Sequence, residues 1–200
     1  LMFNKVFEQY DTFRENRLTK RRFSATLWQE LITEWSSQFA VKELGKTEEG
    51  RPIHEVRYGE GPIQVIAWSQ MHGDEATATL ALADIFRLLS LSEGLATELK
   101  QKLHQKITLR IIPRLNADGA ERWQRETALG IDMNRDATKQ NSVEAPQQRL
   151  AVLASLWFES NDIATLFLAV HVGSLQIVHA SQTQIGIFSA RSLSIGTSKQ

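Results

Sequence analysis

The tetrapeptide His72-Gly73-Asp74-Glu75 sets an imidazole and a carboxylate three positions apart. Neutral imidazole nitrogen and carboxylate oxygen both ligate divalent metals, and a chain with no cysteine must build any zinc site from those two groups. His/carboxylate sets are common at catalytic zinc, where one coordination position stays open for water. The spacing alone is not selective. His-x-x-Glu arises by chance in a chain with five histidines and 23 acidic residues, and surface pairs at that interval are ordinarily solvated neighbours.

The flanking residues add context. Ile63-Gln64-Val65-Ile66-Ala67-Trp68-Ser69 is β-branched and aromatic with few breakers, which predicts a strand whose carboxyl end runs through Gln70-Met71 into His72. Ala76 to Leu91 is rich in Ala and Leu and predicts a helix. Glu75 then falls in or just before the first helical turn and can point back toward His72. In open α/β sheets, the carboxyl edge of the strands is where ligands bind.

The rest of the chain supplies further elements. Phe3 to Leu18 and Ser24 to Phe39 carry apolar residues at helical intervals and predict two N-terminal helices. Ala40 to Gly45 and Ile53 to Tyr58 alternate around Glu49-Gly50-Arg51-Pro52, which predicts a hairpin. Leu95 to His104 predicts a helix and Ile107 to Pro113 a strand, followed by a long irregular segment from Leu115 to Ser142 of the kind that carries function. Pro146 to Glu159 is helical in pattern, and Thr165 to Val170 is a buried-type strand ending at His171. This alternation predicts an α/β fold with a mixed, mostly parallel sheet flanked by helices.

Composition narrows the function classes. Charges balance at 23 basic and 23 acidic residues and 42% of the chain is hydrophobic, as in one soluble globular domain. Nucleic-acid and membrane-surface binders usually carry a basic excess, so small substrates or peptides fit better. The apolar run Ala164 to Val172 is far short of the ~20 residues of a membrane helix. The first residues lack the basic segment and apolar core of a secretory signal, from which a cytoplasmic location is expected. The five tryptophans read as packing residues, His54 and His104 as surface residues, and Gly119 and Gly130 as turn residues.

Three ordered motifs carry a resemblance. Met71-His72-Gly73-Asp74-Glu75, Asn116-Ala117-Asp118-Gly119 and Asp132-Met133-Asn134-Arg135 resemble the His-x-x-Glu, Asn-Pro-Asp-Gly and Asp-x-Asn-Arg motifs of the zinc carboxypeptidase family. The resemblance implies that His72 and Glu75 are zinc ligands, and that Arg125 polarises the scissile carbonyl, with Arg122 close enough to fill the same role. It implies that Asn134 and Arg135 grip the terminal carboxylate of a substrate, a planar fork against a planar anion. It also implies a third ligand, a His at the end of a later strand. His171 fits that form, with His179 as competitor.

The implied domain plan is N-terminal helices over 1–39, a zinc carboxypeptidase-like catalytic region over 40–175 and an atypical tail over 176–200, all in one structural domain incomplete at its C-terminus. The implied reaction is hydrolysis of a C-terminal peptide or related amide bond by Zn2+-activated water. A related enzyme reading is an N-acyl amino acid deacylase. The family also uses a Glu beyond the third ligand as general base, and this chain has no Asp or Glu from Ile163 to Gln200. A third reading follows from that gap: a zinc- or peptide-binding pseudoenzyme, or a fragment.

Overall fold

A computed structural model describes residues 8–93, 95–136 and 141–144, with the backbone of 165–171, 174–181 and 184–189. Helix α1 (Tyr10–Phe13) is followed by α2 (Ala25–Trp35), and β1 (Ala40–Lys46) by β2 (Pro52–Tyr58) and β3 (Ile63–Trp68). Helices α3 (Thr77–Ser90) and α4 (Leu95–Lys106) lead to β4 (Ile107–Ile112). The long segment after β4 holds two short helices, α5 (Ala117–Arg122) and α6 (Met133–Asp136). Strands β5 (Thr165–His171), β6 (Ser174–Ser181) and β7 (Gln184–Ser189) complete the described elements. The helix expected over Pro146 to Glu159 lies outside the described residues.

The sheet is mixed, in the order β1-β2-β4-β3-β5-β6-β7. Its parallel part is the centre, where β3 pairs with β4 on one side and β5 on the other. The outer pairs, β1 with β2, β2 with β4, β5 with β6 and β6 with β7, are antiparallel, so parallel pairing is less extensive than the sequence suggested. The reason lies in the connections. Parallel neighbours need a crossover, as α3 and α4 provide between β3 and β4, whereas hairpins give antiparallel pairs. The β6–β7 hairpin falls mostly within the stretch expected to be an atypical tail.

Alternation in the central strands divides two cores. Val56, Ala67 and Ile111 share a row across β2, β3 and β4 and pack with α2 and α3 through Trp28, Leu31, Trp35, Leu82 and Phe86. In α2 those positions recur at helical spacing, and Ser24 caps its start by accepting the Leu27 N–H at 3.2 Å. The Trp35 and Phe86 ring centroids lie 4.6 Å apart, so these aromatics are core, as the sequence suggested. On the opposite face Ile53, Ile66, Trp68 and Ile112 pack with Met71, Leu115 and Met133, anchoring the loops that follow β3 and β4.

Of the helix expected over Phe3 to Leu18, residues 3–7 lie outside the described residues, and the helical part ends early, at Phe13. Among the described residues it spans four, and only Phe13 of them is buried. Arg14 leaves the helix with extended backbone (φ −59°, ψ 135°), and Glu15 is buried by its bonds to Arg17 instead. Among the described residues no helix is long and apolar enough to cross a membrane.

Candidate functional site

Strand β3 ends at Trp68, and the chain then turns sharply through Gln70, whose φ of +53° is unusual for a residue with a side chain. The turn is held from all sides. The Gln70 side-chain amide donates to the Gly73 carbonyl at 2.8 Å, and its oxygen accepts from the Thr79 hydroxyl at 3.1 Å. The N–H groups of Leu115 and Asn116 donate to the carbonyls of Ser69 and Gln70 at 3.1 and 3.0 Å. His72 is thereby fixed, fully buried, beyond the carboxyl edge of the parallel strands.

Asn116 and two glycines join the three loops of the site. The Asn116 side chain accepts from Gly119 N at 2.9 Å, capping α5, and donates to the carbonyls of Met71 and Arg125, both at 3.2 Å. Gly73 N donates to the same Arg125 carbonyl at 3.3 Å. A Cβ on Gly73 would sit 2.0 Å from the backbone carbon of Gly119, so the loops approach more closely than any side chain allows. Gly119 therefore serves close packing inside a helix rather than the turn expected of it, whereas Gly130, with φ +72°, is a turn residue.

Asp118 belongs to the scaffold. Its fully buried carboxylate accepts from Thr47 Oγ1 at 2.6 Å, Glu49 N at 2.9 Å and Arg51 Nη1 at 2.6 Å, tying α5 to the β1–β2 turn.

The imidazole of His72 lies between two carboxylates. Its Nδ1 is 3.2 Å from Glu75 Oε1, and its Nε2 is 3.2 Å from Asp132 Oδ1. Arg125 spans both acids, with Nη1 at 3.5 Å from Glu75 and Nε and Nη2 at 3.2 and 3.1 Å from Asp132. Burial tends to raise the Asp132 carboxyl, but hydrogen bonds from His72, the Asn134 N–H and Arg125 outweigh it and hold the group below the ordinary range. With two carboxylates and one guanidinium, the cluster carries one negative charge in excess around a buried imidazole. Its nitrogen and oxygen donors and that excess charge suit a divalent cation.

Several sequence expectations meet here. His72, Glu75 and Arg125 are together. Asn134 and Arg135 stand exposed in α6, beside Asp132, whose Oδ1 accepts the Asn134 N–H at 2.9 Å. Arg122, the alternative to Arg125, instead contacts Glu49 and donates to the Ala128 carbonyl at 3.3 Å. For His171 and His179 the backbone alone is described. His171 ends β5 two residues beyond Ala169, the partner of Trp68, and so stands at the same sheet edge as the turn into His72. His179 pairs with Leu166, five residues down the strand, or ~16 Å at 3.3 Å per residue. Among the described residues no group of three His, Asp or Glu side chains forms a metal cluster.

Asp132 is the residue that sequence reading passed over. It opens the Asp132-Met133-Asn134-Arg135 motif, and a carboxylate at that place can orient a ligating imidazole. Asp136 is a further structural acid: it accepts from Asn141 N and Ser142 N, both at 2.8 Å, and closes the loop after α6.

Comparison with known proteins identifies the family and the fold. The family model for zinc carboxypeptidase matches residues 25–173. Among solved structures, a metallo-carboxypeptidase from Burkholderia cenocepacia is similar at TM-score 0.61 and 24% identity, over 75% of this chain and 41% of that one. A metallo-carboxypeptidase from Pseudomonas aeruginosa, in complex with (2-guanidinoethylmercapto)succinic acid, gives TM-score 0.60 and 24% identity over 75% and 40%. Bovine thrombin-activatable fibrinolysis inhibitor, in complex with tick carboxypeptidase inhibitor, gives TM-score 0.60 at 12% identity over 75% and 60%. At these identities the likeness is one of fold, and the chain spans about two fifths of the length of the bacterial structures. No curated protein matched in sequence. A family model covering most of the chain, on a fold shared with metallo-carboxypeptidases, shows that the chain belongs to the zinc carboxypeptidase family.

Proposed function

We propose that this chain forms the zinc-binding and carboxylate-binding part of a carboxypeptidase that hydrolyses a C-terminal peptide or related amide bond. The observation that supports this most is His72 set between Glu75 and Asp132, with Arg125 across both acids. Asp132 takes the Nε2 side of the ring, so Nδ1 and Glu75 Oε1 would hold the zinc, with His171 as third ligand from the end of β5. Zinc, when bound, would supply the Lewis acidity that activates water near pH 7 and polarises a carbonyl.

The chain's own residues would do the rest. Arg125 is 40% exposed and donates toward carboxylates already, so its guanidinium suits the developing oxyanion of the scissile bond. Asn134 and Arg135, exposed on α6, would take the substrate's terminal carboxylate and so fix which bond is presented. A second reading keeps the same zinc- and peptide-binding residues without turnover.

The test is release of a free C-terminal amino acid from an acylated peptide by the zinc-loaded protein, with N-acyl amino acids assayed alongside. Hydrolysis of the peptide supports the first reading. Cleavage of the N-acyl amino acids alone would replace it with a deacylase, and tight peptide binding with no cleavage of either would favour the second.

A further inference from the structure

Before α2 the chain crosses the loops of the site as a strap, and its exposed Lys20-Arg21-Arg22 are three cations in a row. The strap is fastened where it enters α2. Glu121 of α5 accepts the Ala25 N–H at 3.1 Å and pairs with buried Arg114 at 3.5 Å, while the Arg114 guanidinium lies 5.3 Å over the Phe23 ring. Arg21 reaches the site loops themselves. Its guanidinium carbon stands 5.8 Å over the ring of Trp123, and its Nη2 donates to the carbonyl of Asp74, between His72 and Glu75, at 3.4 Å. Arg22 Nη2 donates to the Glu121 carbonyl at 3.1 Å.

These two arginines differ from their neighbours in what they face. Arg51, Arg114, Arg122 and Arg125 each pair with a carboxylate. Among the described residues Arg21 and Arg22 pair with none; backbone carbonyls and an indole hold their planes and leave their charge uncompensated. A guanidinium fixed in this way has already given up much of its conformational freedom and keeps donors for a bidentate anion.

We propose that Arg21 and Arg22 form a cationic subsite, separate from Asn134 and Arg135, that takes side-chain carboxylates of acidic peptides on the N-terminal side of the scissile bond. The inference rests on the carboxypeptidase reading, in which Asn134 and Arg135 occupy the substrate's C-terminal carboxylate. It makes the strap a specificity element and not only packing. A partly exposed charge pair contributes modestly, so the preference is expected to be about tenfold at low ionic strength and to fade with salt.

The experiment compares two acetylated peptides, ending in Glu-Glu-Leu and in Gln-Gln-Leu, for binding to the zinc-loaded protein by calorimetry and for leucine release. The expected result is about tenfold tighter binding of the Glu peptide. R21Q/R22Q should lose that preference while holding the Gln peptide as before, and R21K/R22K should recover part of it. Equal binding of the two peptides by the native chain, binding of neither, or a preference that survives in R21Q/R22Q would each overturn the subsite. A Glu preference in binding with no leucine release would leave the subsite standing and sink the carboxypeptidase reading instead.

Discussion

Asp132 Oδ1 lies 3.2 Å from Nε2 of His72, so the ring presents Nδ1 to Glu75. A carboxylate on the far nitrogen fixes the tautomer and plane of a ligating imidazole and raises its basicity. Asp132→Ala is therefore expected to weaken zinc binding about 10- to 100-fold without unfolding the chain. Competition with a chelator of known affinity measures this, and unchanged zinc affinity would remove Asp132 from the account.

Arg125 and Arg122 are separated by what they touch. Arg125→Ala should lower turnover about 10²- to 10³-fold with zinc retained, the usual cost of losing one oxyanion donor. Arg122→Ala, which removes a surface contact to Glu49, should change turnover little. Equal losses in the two variants would show that the assignment to Arg125 is wrong.

The approach of Gly73 to Gly119 leaves no room for a methyl group, since the new carbon would lie 2.0 Å from one backbone atom and 2.2 Å from the next. Backbone atoms cannot swing aside, so Gly73→Ala should destabilise the fold by about 2 kcal/mol or more and displace His72 from Arg125. Urea unfolding checks the first effect and zinc affinity the second. A variant as stable as the native chain would mean that the loops are not packed as described.

Much of the fold was legible because its signals are local. The β1–β2 hairpin, β3, α3 and β4 each carry a clear period or turn, and their alternation gave the α/β class. His72 and Glu75 were legible for the same reason, lying close together across one strand-to-helix turn. Asp132 was harder to see, because its partner His72 is 60 residues away and only the fold brings them together. The end of α1 at Phe13 was not legible, because Arg14 to Leu18 hold no Gly or Pro to mark it, whereas the bonds of Arg17 to Glu15 hold the following residues in a turn.

Glu144 predicts a pH dependence of stability. Its side chain is almost wholly buried, Oε1 has no hydrogen-bond partner among the described residues, and burial, with repulsion from Asp118, Glu48 and Asp136, outweighs a backbone hydrogen bond and pushes its carboxyl up to about 7. A raised carboxyl favours the fold in its neutral form, so stability is fullest below the ordinary value of 4.5 and declines as pH rises through about 7. Glu144→Gln removes the ionisation. It should match the native chain near pH 4 and exceed it at pH 8.5 by up to about 3 kcal/mol. Urea unfolding at the two pH values measures this, and a difference that does not change with pH would contradict the role of Glu144.

The central claim is that His72 and Glu75 hold zinc, and metal stoichiometry of the purified, folded chain beside His72→Ala and Glu75→Gln tests it most directly. About one zinc per native chain, lost or strongly weakened in both variants, is the result this account predicts. No zinc in the folded native chain, or zinc retained in His72→Ala, would contradict it.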